Sequence, residues 1–522
     1  MAAPLTTRIA ICGAGISGLT LAGILSRRLG AAGQITVFER APIDRDEGYG
    51  LDLDEQGQEA LARAGVYDRF WEMARPRSDA GMAFYQAQAH GRGISPFLHV
   101  YQPRWLQRLF PGKLGARPEC NREKLRDVLL DALRANGNAQ VLFETATGDI
   151  KEIPPSASAS ASGGGLSGAE LFDREGGSLG EYNLVVDAMG LHSPLRHLFV
   201  DDPAGKLYEG YVMIHGSIHD PDEIFSEEML RRFAPFGTAA VAAKGVQFFM
   251  QRFGAGPADN RSCLFYNVPW DRADGDVSFF AEELGIEKPS SRRGGIMADK
   301  ERLGKVKAWI KNHMRGLGMC PIWEEAVEGL DRVKVRGSVT HGHTELKSEP
   351  VTLPLIAIGD SLRNCGIGGG GILAMQDAIE LSKLLAPDAG GEAEAGAVFC
   401  PETGHADPAP LRKAAEVMLK RKTEFMEDKK EKQWMHERRK AGDERGPDFT
   451  WDDMLEHNGF VVGHLQRIFL PWVQWLSKRS YAADLARGEA GSTKENSLVY
   501  SNVTAYLEKE KEEAAGKEHR RR

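Results

Sequence analysis

Apolar residues in this chain fall into short unbroken runs, and the residues after each run identify the element it belongs to. Ile9-Ala10-Ile11-Cys12 leads directly into Gly13-Ala14-Gly15-Ile16-Ser17-Gly18 and then into a helical stretch that continues through Leu29. This reads as strand, glycine turn and helix. A second strand is predicted at Ile35-Thr36-Val37-Phe38, ending in Glu39. Others are predicted at Leu184-Val185-Val186, before Asp187-Ala188-Met189-Gly190, and at Leu355-Ile356-Ala357-Ile358, before Gly359-Asp360. Helical periodicity covers Arg122 to Leu133 and returns in Ile372, Met375, Ile379 and Leu384. Leu411, Ala415, Met418 and Phe425 mark an amphipathic helix with a heavily charged outer face. Strand-like runs lie at Tyr211 to Ile218, Val246 to Arg252 and Cys263 to Val268.

These elements predict an α/β fold in several parts. Residues 1–196 form the first part of a nucleotide-binding domain, with an irregular region from about residue 80 to about 118 and a low-complexity insert at 154–165. That insert is made of Pro, Ser, Ala and Gly, cannot bury apolar surface, and reads as a loop between two strands. Residues 197–345 form a second, mixed-sheet domain, residues 346–390 return to the first, and residues 405–522 form a C-terminal helical extension.

A chain of 522 residues is too long for one simple core, and 42% hydrophobic residues suffice to bury two or three. A formal net charge of −8 gives no basic footprint for nucleic acid. The cysteines (Cys12, Cys120, Cys263, Cys320, Cys365, Cys400) show no CxxC spacing, so no disulfide framework or metal site is expected. A reducing compartment, the cytoplasm, is the simplest expectation. No signal peptide is expected, because the first apolar run is already the glycine-turn strand, and no transmembrane span, because no stretch reaches the ~18 uncharged apolar residues a span needs. The apolar stretch from Phe460 to Leu476 is interrupted by His464, Gln466, Arg467 and Pro471. It reads as a helix packed on the body or lying on a membrane surface.

The glycine turn carries specific chemistry. Gly13 permits the tight turn, Gly15 lets backbone amides approach a pyrophosphate, and Gly18 lets helix and strand pack closely. A diphosphate at the helix N-terminus meets unpaired amides and the positive end of the helix dipole. Glu39, closing the second strand, is placed to accept ribose hydroxyls, with Arg40 beside it. This unit alone does not separate FAD from NAD.

The three strand-turn motifs, together with Asn121-Arg122-Glu123-Lys124-Leu125-Arg126, resemble those of the FAD-dependent monooxygenases of the aromatic-hydroxylase (para-hydroxybenzoate hydroxylase) class. The similarity is greatest to the tetracycline-inactivating branch and spans roughly residues 8 to 390. It implies a Rossmann-type, GR2-like FAD-binding domain beside a mixed-sheet substrate domain. It also implies that Asp360 binds the ribityl chain, that Arg122 lies near the flavin, and that Asp52, in Gly48-Tyr49-Gly50-Leu51-Asp52, contacts FAD. Arg45 matches an arginine that serves the nicotinamide cofactor; its other reading is a solvated loop charge. The glycines through Gly371 are placed to turn amides toward the flavin ring, or else form a plain turn.

The chain departs from the family pattern at two places. Met189 and His192 replace the acid and the arginine of the middle motif, and Ser361-Leu362-Arg363-Asn364-Cys365 replaces the usual segment after Gly-Asp. The expected function is hydroxylation of an aromatic or polycyclic small molecule with NADPH or NADH and O₂, in specialised metabolism or detoxification. The alternatives are an FAD oxidase, dehydrogenase or cyclase without oxygen insertion, or a noncatalytic flavoprotein-fold binding module. No catalytic acid or base stands out: His215, His219, His341 and His343 each have ordinary structural readings, and no third ligand joins His341 and His343 into a metal site. Phe248, Phe249 and Tyr266 suit a flat hydrophobic pocket or a core equally.

Overall fold

The structure is a computed structural model that describes residues 7–45, 50–74, 82–87, 96–100, 117–154, 168–203, 205–233, 237–243, 245–254, 260–270, 295–298, 300–348, 353–366, 369–386 and 405–432, with isolated positions elsewhere. Gly48 and Tyr49, nearly all of the 154–165 insert, Ile367, Gly368, and most of both the 460–476 run and the C-terminal extension lie outside the described residues.

Five parallel strands form the first sheet, in the order Leu355–Ala357, Leu184–Asp187, Thr7–Cys12, Gly33–Phe38 and Ala139–Leu142. Alternate side chains leave a strand on opposite faces, and here both faces are covered. Ile9, Ile11, Leu184, Val186 and Ile356 pack against helices Ile16–Leu29, Arg122–Asn136 and Gly370–Leu385. Ala10, Cys12, Val185 and Leu355 face a three-stranded antiparallel sheet through Ile150, Ala169, Leu171 and Tyr182. Double burial is why these strands read as unbroken apolar runs. The low-complexity insert joins two strands of the small sheet, Thr147–Ile153 and Gly168–Asp173, which pair antiparallel.

The second sheet has eight strands, in the order Gly295–Ala298, Leu330–His341, Lys206–His219, Arg261–Pro269, Val246–Arg252, Thr238–Ala243, Met82–Gln86 and Pro96–Val100. One face is sealed by helices Glu227–Phe233, Lys300–Gly316 and Trp323–Glu328, around Ile214, Phe248, Met250, Tyr266 and Trp323. Its last two strands come from the stretch 82–100, which has no clear period in sequence and which sequence position alone assigns to the first domain. Met82–Gln86 pairs with Thr238–Ala243, far along the chain, and Pro96–Val100 joins the sheet only through Met82–Gln86, so a tertiary pairing brings both strands into it. Helix Pro408–Lys432 crosses back onto helix Gly370–Leu385 and strand Leu355–Ala357.

Candidate functional site

The strand order places the three motifs side by side. Gly359, Asp187, Gly13 and Glu39 stand at or just beyond the carboxyl ends of four adjacent parallel strands, the edge where open α/β sheets bind ligands. Backbone hydrogen bonds tie the turns together, from Ala188 N–H to Cys12 O at 2.8 Å and from Ile358 N–H to Asp187 O at 2.9 Å.

The glycines of the first turn have separate tasks. Gly13 has φ +113°, and a Cβ there would lie 2.4 Å from Ala188 O. A Cβ on Gly18 would lie 2.0 Å from Gly13 O, so only glycine allows the helix this close to the turn. Gly15 differs: a Cβ would meet nothing within 4 Å, and as N-cap of Ile16–Leu29 it offers no side-chain cap. No side chain fills the space beside Gly15 or caps the first turn, as a pyrophosphate at that helix start requires.

Glu39 is buried, and both its oxygens are engaged. Oε2 accepts from Ala14 N–H at 3.0 Å and Oε1 from Ala41 N–H at 2.8 Å. Arg45 Nη1 lies 2.8 Å from Glu39 Oε2, and its Nη2 donates to Ala14 O at 3.0 Å. Arg45 is thus neither a solvated loop charge nor separate from the first turn; its guanidinium lies against the Glu39 carboxylate. Arg126 holds the Arg45 loop through Arg45 O at 3.0 Å and Ile43 O at 2.9 Å. Arg40 is exposed on the His192 side, where partial burial, Lys206 and Arg40 together hold that imidazole below its ordinary pKa.

In the middle motif Asp187 is buried and accepts from Ser193 Oγ at 2.5 Å and Met189 N–H at 3.1 Å. Burial raises its pKa, against those bonds and Arg196. Burial, with Asp187 alongside, raises the Cys12 thiol far above its ordinary value, so Cys12 is inert. Met189, in the acid's place, packs against the small-sheet core, with its Sδ 2.8 Å from Thr147 Oγ1.

The third motif is held by a network that sequence reasoning missed. Gly359 has φ +60°, and its N–H donates to Asp377 Oδ2 at 2.9 Å. Arg421 Nη2 donates to Asp377 Oδ1 at 2.8 Å, and Lys422 Nζ forms an ion pair 3.1 Å from Oδ2; Asp377 and Lys422 side chains are both 0% exposed. Lys422 lies four residues after Met418, on the apolar stripe of its helix, and a lysine at that phase was the available signal. Ser361 Oγ accepts from Gly190 N–H at 2.7 Å, linking the third motif to the middle one.

Asp360 stands beside the start of helix Gly370–Leu385, where a Cβ on Gly370 would lie 3.7 Å from Asp360 Oδ1. A Cβ on Gly371 would lie 3.4 Å from Leu51 Cδ1, so the ribbon of Gly50–Asp52 and Glu119–Asn121 reaches the same place. Asp52 pairs with Arg117 at 3.0 Å, and Arg122 opens the helix after the ribbon. The ribbon docks on the second sheet through Thr238 Oγ1 to Glu119 Oε1, 2.7 Å, and the helix that follows it does so through Arg261 to Glu123, 3.1 Å.

Thr238 lies on the sheet face opposite the sealing helices. The same face carries the cross-strand row His215, Phe265, Phe249 and Ala240. His215 stacks on Phe265 at 5.7 Å, and burial, with Arg336 and Lys334, pushes its pKa down to about 3, so the ring is neutral. Phe248 and Tyr266 point the other way, into the sealed core. His341 is buried and accepts Asn364 N–H at 2.9 Å, whereas His343 is exposed against Glu345. Among the described residues no cluster of His, Cys, Asp or Glu could hold a metal, and no helix is long and apolar enough to cross a membrane.

No family model and no curated protein matches the sequence. Solved structures do match. CtdE in complex with FAD aligns with TM-score 0.56 at 13% identity, covering 81% of this chain and 92% of that one. The 2,6-dihydroxypyridine-3-hydroxylase of Arthrobacter nicotinovorans aligns with TM-score 0.55 at 15% identity, covering 83% and 93%. The chain has the fold of the FAD-containing monooxygenases. The tetracycline destructase Tet(51) also matches, with TM-score 0.50 at 14% identity, over 91% of this chain and 98% of that one.

Proposed function

We propose that this protein is an FAD-dependent monooxygenase that uses NADPH or NADH and O₂ to hydroxylate an aromatic or polycyclic small molecule, in specialised metabolism or detoxification. The observation that carries this reading is the convergence of three turns at one sheet edge, next to a second sheet whose face opposite its sealing helices carries His215, Phe265 and Phe249. The open amide cradle at Gly15 and the carboxylate at the end of the second strand fit FAD. Bound FAD supplies electron transfer from the nicotinamide and delivery of one oxygen atom of O₂ to the substrate.

The chain supplies binding and orientation. The amides from Gly15 onward take the pyrophosphate, Glu39 the adenosine ribose, and Asp360 the ribityl hydroxyls. Gly371, Asp52 and Arg122 border the ring end, and Arg45 braces Glu39 against the first turn. A flat substrate stacks against the aromatic row of Phe265 and Phe249, with the neutral His215 ring behind it.

One observation favours a second reading. With Met189 turned into the core in place of the motif acid, an FAD oxidase, dehydrogenase or cyclase uses the same site without oxygen insertion. The visible spectrum of the FAD-loaded protein separates the two. Oxidised-flavin bands that bleach with anaerobic NADPH and substrate, then return in air with one oxygen atom in the product, support the monooxygenase. Bands that substrate alone bleaches support the second reading, and failure to retain flavin overturns both.

A further inference from the structure

An open cleft of about 560 Å³ lies on the outer side of the middle motif, between the 190–197 turn and the strand ends at 200–206 and 341–347. The groups that define its chemistry are His192, Arg196, Lys206 and Lys347, faced by Asp201 and Asp202. Three permanent cations therefore meet two carboxylates in a molecule whose formal net charge is −8. This local excess is not a by-product of a basic chain.

Arg196 is the anchor. Its side chain is 9% exposed; Nη2 donates to Thr344 Oγ1 at 3.3 Å and lies 3.6 Å from Asp202 Oδ2. Nη1 is buried in the cleft wall with no hydrogen-bond partner among the described residues. A buried charged donor left without an acceptor is costly. Lys206 Nζ is 2.8 Å from His192 Nδ1, so its near partner is an imidazole rather than a carboxylate. Lys347 Nζ is 3.9 Å from Asp201 Oδ1, with both side chains well exposed, a pairing of little strength.

We infer that this cleft is a binding site for a phosphate group. The Arg196 fork supplies a fixed, directional donor, while Lys206 and Lys347 supply mobile charges across a three-oxygen dianion. Two sources share that chemistry: a phosphate of a nicotinamide dinucleotide, and a free phosphate or small phosphate ester. Neither needs a reduced flavin to bind, so the site is testable apart from the proposed reaction.

The test is calorimetric titration of the full-length protein, as purified, with inorganic phosphate at low salt. Lys206→Gln and Lys347→Gln are compared with the parent, and Lys383→Gln, the same charge change at an exposed position of helix Gly370–Leu385, serves as control. All the altered lysines have solvent-accessible side chains, and unchanged thermal midpoints verify folding. Phosphate binds the parent, and each cleft variant weakens it about tenfold or more, as loss of a charge-assisted contact implies. The control leaves it unchanged. Displacement of phosphate by NADP⁺ but not NAD⁺ assigns the site to the 2′-phosphate, and displacement by both assigns it to the pyrophosphate. Displacement by neither assigns it to a free phosphate or ester. A parent that binds no phosphate at millimolar concentration, cleft variants that bind like the parent, or a control that weakens binding equally would overturn the inference.

Discussion

Replacing Asp377 by Asn isolates what holds the Gly359–Asp360 turn. The carboxylate is fully buried and is shared by Gly359 N–H at 2.9 Å, Arg421 Nη2 at 2.8 Å and Lys422 Nζ at 3.1 Å. Removing one member of a buried ion pair leaves the partner as an uncompensated charge, at a cost of about 3–5 kcal/mol. Here Lys422, with 0% side-chain exposure, is that partner. Lys422→Met should cost less, about 1–3 kcal/mol, because Asp377 keeps Arg421 and the Gly359 amide while a similar apolar volume remains. The order of the two effects is the prediction. Urea unfolding monitored by flavin release, together with the FAD dissociation constant at neutral pH, measures both. Asp377→Asn should lower stability the more and also weaken FAD, because the turn presenting Asp360 loses its anchor. Equal or reversed costs would refute the buried pair as the stabilising element, and unchanged FAD affinity in a destabilised Asp377→Asn would refute its hold on the turn.

Gly15→Ala should leave unfolding free energy within about 0.5 kcal/mol, since its Cβ enters open space, yet weaken FAD by about 1–3 kcal/mol if a pyrophosphate fills that space; equilibrium dialysis reads the difference. Asp360→Ala should weaken FAD by about 1.5–3 kcal/mol through loss of a charge-assisted hydrogen bond, and unchanged flavin occupancy would remove Asp360 from the ribityl site. Arg45→Met should weaken FAD as well, because its guanidinium braces Glu39; a raised Michaelis constant for NADPH with FAD retention intact would return Arg45 to the nicotinamide. His215 and His341 are pushed by burial from 6.5 to about 3, so between those values the unfolded chain binds protons that the folded protein does not. Their contribution is therefore complete above pH 6.5 and is lost as pH falls toward 3, at about 1.4 kcal/mol per pH unit per histidine once the unfolded imidazole is protonated. His215→Gln should flatten the stability profile between about pH 5.5 and 4.5 by that slope, and a parallel profile would show that His215 is already protonated in the folded state.

The parallel sheet and its glycine turn were legible along the chain because their causes are local. A strand covered on both faces must be continuously apolar, and Gly13 and Gly18 are forced by contacts of 2.4 and 2.0 Å that no side chain could survive. The strands Met82–Gln86 and Pro96–Val100 were not legible, because the first pairs with Thr238–Ala243 across the molecule and the second enters the sheet only through the first.

Charge was the least legible property of all. Sequence spacing marks which residues share a helix face, so Lys422 could be seen on the apolar stripe of Pro408–Lys432, but not the Asp377 that makes burying it tolerable. Arg45 read equally as a nicotinamide arginine or as one charge in a charged loop until the fold laid it on Glu39, and Arg196, Lys206 and Lys347 became a cationic cleft only when three separate segments met. The sequence alone therefore determined the strands of the parallel sheet and the glycine turn, whose requirements lie within a few neighbouring residues. Which charges are buried, and against what, was decided by tertiary structure, because electrostatic energy depends on distance and solvent exclusion between residues far apart in the chain.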